Sequence, residues 1–96
     1  MSAYIVARVA VENPSLLKEY MTITPPIVER YRGRFIARAG ATVTLEGPEE
    51  TRRIVLLEFP SLSDAKAFYN SQEYTEARKL RKDVAVVEFI AVEGVE

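Results

Sequence analysis

The sequence predicts an α+β domain with the element order β-α-β-β-α-β, in which a four-stranded antiparallel sheet carries both helices on one face. Two kinds of observation lead there. Four runs rich in β-branched and aromatic residues alternate loosely in polarity. Two other stretches repeat apolar residues at helical spacing behind N-cap residues. A length of 96 residues gives room for one core, so residues 1–96 read as a single domain, with no linker, low-complexity tract or long repeat.

Ala3 to Val11 form the first strand, with Ile5, Ala7, Val9 and Val11 on one face and Tyr4, Val6, Arg8 and Ala10 on the other. Asn13-Pro14 opens a helix, because Asn accepts from the free first-turn amides and Pro lacks a hydrogen that had no partner there. Leu17, Tyr20, Ile27 and Tyr31 recur at helical spacing. Pro25-Pro26 predicts a kink or two helical pieces, and Gly33 is expected at the C′ position. Arg34 to Ala39 make the second strand. It breaks at Ala39-Gly40-Ala41, where Gly40 is expected to hold a bulge or bend, and Thr42 to Glu46 continue extended. Gly47-Pro48-Glu49-Glu50 turns into the third and most apolar strand, Arg52 to Phe59, which Pro60 stops. Ser61-Leu62-Ser63-Asp64 has the capping-box pattern with Asp in place of Glu, and the helix behind it points Leu62, Ala65, Phe68 and Tyr69 inward. Ser71 caps a second piece, from about Gln72 to Lys82, and Val84 to Val92 form the last strand. The order is that of a ferredoxin-like fold, with spatial strand order 4-1-3-2.

Composition removes several function classes. Without cysteine there is no disulfide, thiolate nucleophile, iron–sulfur cluster or Cys zinc site. Without histidine there is no neutral-pH imidazole base, no His haem ligand and no Ser–His–Asp device. Glu46, Glu49 and Glu50 lack the spacing of a calcium loop, so neither a metal nor a cofactor is assigned. A net charge of −1 gives no excess to neutralise a phosphate backbone. The third strand also lacks the glycine–aromatic alternation of an RNA-binding sheet, so no nucleic-acid partner is expected. No apolar run reaches the roughly 18 residues of a membrane span, and no leader pattern is visible, so a cytoplasmic location is expected.

The strand parity leaves the second sheet face apolar at Val6, Ile36, Ile54, Leu56, Val86 and Ile90. Such a face needs a cover, most simply the same face of a second subunit, which makes a homodimer with a barrel-like lumen. Each strand puts one charge on that face, Glu88, Arg8, Glu58 and Arg38, alternating in sign in the order 4-1-3-2. One reading is a salt-bridge lattice that fixes the dimer; the other is that Arg38 or Arg8 holds a small anion in the lumen. A buried Arg38–Glu58 pair would lose about 3–5 kcal/mol on removal of either member.

A pattern running along most of the chain adds to this. It comprises Tyr31-Arg32-Gly33-Arg34-Phe35-Ile36-Ala37-Arg38-Ala39-Gly40, Leu45-Glu46-Gly47, Glu58-Phe59-Pro60-Ser61 and Phe68-Tyr69-Asn70-Ser71-Gln72-Glu73-Tyr74. In that combination the chain resembles the domain of unknown function 1330 (DUF1330) family of the dimeric α/β-barrel superfamily. The resemblance implies the same fold and a homodimer, and no particular activity. The family's motif residues fall on Arg38, Gly40, Glu46, Glu58, Phe59, Pro60, Tyr69, Ser71 and Tyr74. Ala39 stands where the family often has a first glycine, and Phe68 where it often has Trp. The haem-dependent members of the superfamily rely on a proximal histidine, which this chain lacks.

Arg38, Gly40, Glu58, Tyr69, Ser71 and Tyr74 are therefore the candidate ligand-binding residues. The plain alternative for Ser71 is an N-cap, and for Tyr69 and Tyr74 core aromatics. Glu73, Glu76, Arg78, Lys79, Arg81 and Lys82 read as a solvated helix face, and Arg52-Arg53 as surface charge. Three functions are carried forward. The first is a homodimer that binds a small organic molecule, an anion among the options, in a cleft or in the lumen. The second is a cofactor-independent monooxygenase- or isomerase-like enzyme, with Glu58 as base and Arg38 or a Tyr as electrostatic partner. The third is a purely structural dimer module.

Overall fold

The computed structural model describes residues 1–95. Its elements are β1 (Ala3–Val11), a 3₁₀ turn (Pro14–Leu17), α1 (Lys18–Arg30), β2 (Arg34–Arg38), β3 (Arg53–Phe59), α2 (Leu62–Asn70), α3 (Gln72–Arg78) and β4 (Ala85–Glu93). The sheet order is β2-β3-β1-β4 with every neighbouring pair antiparallel, the order the sequence predicts. The helices lie on one face. Between them and the sheet, Ile5, Val28, Leu57, Phe59, Ala65, Phe68 and Tyr74 form the core. Its centre is aromatic: Phe68 sits 5.2 Å from Phe59 and 4.4 Å from Tyr74 between ring centroids.

The caps behave as their chemistry requires. Asn13 accepts from the Ser15 amide, Ser61 from the Asp64 amide and Ser71 from the Tyr74 amide. The C-terminus of α1 differs from the expectation. Arg32, not Gly33, takes the left-handed position, at φ 65°. Its N–H donates to the Glu29 carbonyl and the Gly33 N–H to Val28, which together are a Schellman motif. Gly33 is glycine for a different reason: a Cβ there would run into the Phe59 ring.

Pro25 and Pro26 do not divide the helix. Both lie inside a continuous α1, and the break into two pieces comes earlier, between the 3₁₀ turn and Lys18. A proline inside a helix has no N–H for the carbonyl four residues back. Pro25 therefore leaves the Met21 carbonyl without its helical donor.

The largest correction is in β2. Phe35 pairs with Leu57, but Ala37 pairs with Leu56 and Arg38 with Val55. An extra residue, Ile36, is accommodated between them as a bulge, and the side-chain alternation changes phase there. Arg38, expected on the open face beside Glu58, turns to the helix side. The bulge is at Ile36, not at Gly40, and the left-handed residue that ends the strand is Ala39, at φ 58°. Thr42 to Glu46 form no strand, and Val43 and Leu45 stand exposed.

The open face keeps its apolar character, with Val86, Ile90 and Val92 all more than half exposed. Its charges close differently from the expected lattice. Arg8 and Glu88 are register partners, but Glu88 receives its hydrogen bond from Arg52 at 2.5 Å, and Arg8 lies 3.3 Å from Glu50. Arg52 also holds Glu50 at 2.8 Å. Glu58 pairs with Arg34, its register neighbour, at 2.7 Å.

Two consequences of these geometries are measurable. Glycine adopts φ 58° without the Cβ penalty, and that gain exceeds its extra unfolded-state entropy, so Ala39→Gly should stabilise the fold by about 0.5–1 kcal/mol in chemical denaturation. A loss of stability would mean that the Ala39 methyl group packs more than it strains. Hydrogen bonds from Arg52 pull the Glu50 carboxyl from 4.5 to about 2. A lowered folded-state pKa gives stabilisation that is complete above the unfolded value and lost on acidification. The tie between the 50–52 segment and the sheet should accordingly loosen between about pH 4.5 and about pH 2. A Glu50 carboxyl that titrates by NMR near its unperturbed value would contradict this tie.

Candidate functional site

The strand change at Ile36 gives Arg38 a place at the mouth of a cavity between the sheet and α1. Its Nη2 donates to the Met21 carbonyl at 2.7 Å, the acceptor that Pro25 leaves open, and its guanidinium carbon lies 4.4 Å from the Phe35 ring centroid. One arginine thus ties β2 to α1 across the opening. The cavity is small, about 60 Å³, and its walls are mostly apolar, with Leu17, Phe35, Leu57, Phe68 and Phe89 among them. The polar groups that reach it are few: Tyr20, Tyr74, Arg38, Arg53 and Arg81 stand out. A largely apolar wall with a small number of convergent polar groups is the usual make-up of a small-molecule site.

Tyr20 and Tyr74 meet inside it, hydroxyl to hydroxyl at 2.5 Å, and Arg81 Nη2 donates to the Tyr74 oxygen at 3.4 Å. The sequence expects this helix to run to about Lys82, but α3 ends at Arg78, and it is the turn beyond it that brings Arg81 back to Tyr74. Tyr74 is completely buried. Burial, and then the neighbouring Tyr20, push its phenol far above its ordinary value against the pull of Arg81, so it stays protonated and can act as a donor.

The charges around the cavity are sorted by partner. Among the described residues, Arg8, Arg30, Arg32, Arg34 and Arg52 form ion pairs with carboxylates, and all five lie outside the cavity. Arg38, Arg53 and Arg81 form none and line it, and no carboxylate lines it. A partly enclosed space edged by uncompensated cations has a positive potential and favours an anion.

Of the residues singled out from the sequence, the structure brings Arg38 and Tyr74 to this cavity. Glu58 lies on the opposite sheet face, in its ion pair with Arg34, so the expected Glu58–Arg38 pair does not form. Tyr69 faces a second, more open cleft, where it stacks under Arg78. Ser71 is buried and spends its hydroxyl on the Phe68 carbonyl and the Tyr74 amide, as an N-cap. Gly40 is exposed, with open space on its Cβ side, and Glu46 is exposed in the loop after it. Sequence reasoning misses Tyr20, Arg53 and Arg81 as site residues. Arg81 lies in the turn past α3, so helical spacing from Tyr74 does not mark it. Nothing local marks Arg53. Among the described residues no group of His, Cys, Asp or Glu side chains gathers as metal ligands, and no helix is long and apolar enough to cross a membrane.

Fold and site together define a ferredoxin-like α+β domain with an arginine-edged cavity between sheet and helices. The chain belongs to the DUF1330 family, described as a domain of unknown function, which matches residues 2–95. No curated protein matches it. Solved structures with the same fold include a protein of unknown function from Rhodopseudomonas palustris, with TM-score 0.76 and 18% identity over 99% of this chain and 83% of that one. They include SnoaB, a cofactor-independent oxygenase from Streptomyces nogalater, with TM-score 0.70 and 11% identity over 99% and 94%. A dimeric ferredoxin-like protein of unknown function from Jannaschia sp. CCS1 has TM-score 0.71 and 13% identity over 98% and 100%. At these identities the likeness is one of fold.

The link between Pro25 and Arg38 can be tested by a double-mutant cycle. Arg38→Ala should cost about 1–3 kcal/mol, because it leaves the Met21 carbonyl without a donor. The same change in a Pro25→Ala background should cost clearly less, because an alanine at that position supplies the missing helical N–H. Equal costs in both backgrounds, measured by urea denaturation, would mean that the Met21 carbonyl is not what holds Arg38.

Proposed function

We propose that this protein works as a homodimer, each subunit of which binds a small organic anion with an apolar body in the cavity between α1 and the sheet. The carrying observation is the sorting of arginines: the three that reach the cavity have no carboxylate partner among the described residues, whereas the five paired ones lie elsewhere. Arg38 is held in place by the Met21 carbonyl and keeps donors for a ligand oxygen. Arg81 and the Tyr74 hydroxyl offer further donors on the inner side. The apolar walls and the volume of about 60 Å³ suit a small carboxylate with a short apolar body better than a fully hydrated ion. Dimerisation through the open face is supported by exposed Val86, Ile90 and Val92 and by neighbours of this fold described as dimeric. No charged residue needed for the cavity lies on that face, so both subunits keep a complete site.

A second reading has a specific observation behind it. Paired phenols beside an arginine can stabilise an oxyanion as it develops, and one neighbour of this fold, SnoaB, is described as a cofactor-independent oxygenase. Glu58 has no part in this version, since it faces away; the donors would be Tyr74, Arg81 and Arg38.

Light scattering combined with thermal unfolding in a panel of aromatic and aliphatic carboxylates separates these readings. The expected result is a mass of two chains and saturable stabilisation by at least one carboxylate, weakened about tenfold or more by Arg38→Gln. Consumption of the ligand, lost in Tyr74→Phe, would favour the enzyme. A monomer would remove the dimer, and stabilisation unaffected by Arg38→Gln would place the ligand elsewhere.

A further inference from the structure

The second, open cleft has features that the cavity function does not use. It lies between α2, α3 and β4, has a volume of about 710 Å³, and meets the inner cavity only at Arg81, Val87 and Phe89. Five cations border it: Lys66 from α2, and Arg78, Lys79, Arg81 and Lys82 from α3 and the turns beyond. Among the described residues, no Asp or Glu lines it. Of these five, Lys79 has a carboxylate contact, with Glu76 at 3.2 Å, and both side chains are well exposed, so solvent screens it.

Arg78 separates this cleft from an ordinary solvated helix face. Its Nη1 donates to the Tyr69 hydroxyl at 2.9 Å and its Nη2 to Thr75 Oγ1 at 3.3 Å, and its guanidinium stacks 4.3 Å from the Tyr69 ring centroid. A free surface arginine would keep its rotamer freedom. This one is held by three contacts, none of which neutralises it. Its Nε is buried with no partner, and so is the Nε of Arg81, which also borders the cleft. A guanidinium fixed by neutral partners, with a second N–H left on each of its Nη groups, bordered by lysines and set on a concave space, forms a preorganised site for a multiply charged anion.

We propose that this cleft is a second binding site, for a phosphorylated small molecule, with Arg78 as its fixed anchor and Lys79 and Lys82 as its mobile cations. A phosphate or pyrophosphate group, with two or more charges and several acceptor oxygens, can engage Arg78 and the lysines together, which a single carboxylate does less well. The site shares Arg81 with the carboxylate cavity but has its anchor at Arg78, which the cavity lacks, so failure of this site and failure of that reading are told apart by whether Arg78 or Arg38 matters.

Isothermal titration of the full chain with inorganic pyrophosphate tests the proposal. Saturable binding at low salt is expected, weakening as salt rises. Arg78→Gln should reduce affinity about tenfold or more, and the double variant Lys79→Gln/Lys82→Gln, whose side chains are outside the core, should also weaken it without disturbing the fold. Arg38→Gln should leave it unchanged. No binding at millimolar pyrophosphate would overturn the site, as would binding that survives both the Arg78 and the lysine variants. Loss on Arg38→Gln would assign pyrophosphate to the inner cavity instead. Binding of single-stranded RNA that competes with pyrophosphate and exceeds it in affinity would replace the small-molecule ligand with a nucleic acid.

Discussion

A hydrogen bond that α1 cannot make determines how this molecule's cavity is arranged. Pro25 has no N–H, so the Met21 carbonyl on the preceding turn needs another donor, and Arg38 supplies it from β2. The arginine can reach only because Ile36 is bulged. Without that extra residue the alternation of β2 would send Arg38 to the open face and Ala37 to the helices. Helix and edge strand are thus joined by two local irregularities, a proline and a bulge, each of which alone would weaken its own element. Together they satisfy one carbonyl and place one cation. The mouth of the cavity is where they meet.

The same irregularities explain what was legible in the sequence. Element order, strand order and most boundaries rest on caps and periodicity, which are local, and β1, α2 and the Ser71 cap come out as the residues imply. The face of Arg38 rests on counting residues by twos along β2, and that count fails where one residue is inserted. Gly40 is the obvious place for an irregularity, because glycine is the residue that tolerates one. The structure puts it at Ile36, whose β-branched side chain gives no such warning, and puts left-handed backbone at Arg32 and Ala39. The bulge and the Arg34–Glu58 pairing are properties of two strands together, and no single-strand pattern contains them.

Charge pairing shows the same limit. Glu88, Arg8 and Glu58 lie on the open face as expected, but none of the pairs expected among the four charges forms: Arg8 faces Glu88 in register yet pairs with Glu50, and Glu58 takes Arg34. The lattice acquires members from outside the strands, Glu50 and Arg52, because a loop entering β3 lies close enough to insert them. Arg52 and Arg53 are adjacent in the chain but project to opposite sides of the sheet. One is fully engaged with two carboxylates, and the other reaches an apolar cavity that has none. A pair of neighbouring arginines that reads as surface charge is, in space, one structural cation and one left to the cavity.

That division runs through the whole molecule and bears on why the cavity arginines are kept. With 14 acidic and 13 basic side chains, the chain has enough carboxylates to pair every arginine. Pairing is available, and on the open face and at the outer ends of the helices it is used. Around the two hollows the strands and helices present phenols, hydroxyls and one carbonyl to the guanidiniums instead of carboxylates. Such partners fix a guanidinium's position while leaving its charge intact, which a carboxylate would not do. A stability rationale alone favours the carboxylate, since neutral partners offset less of the cost of partial burial. The arrangement makes sense if the missing negative charge arrives with a ligand, and then the neutral partners are what keep the site both rigid and open for it.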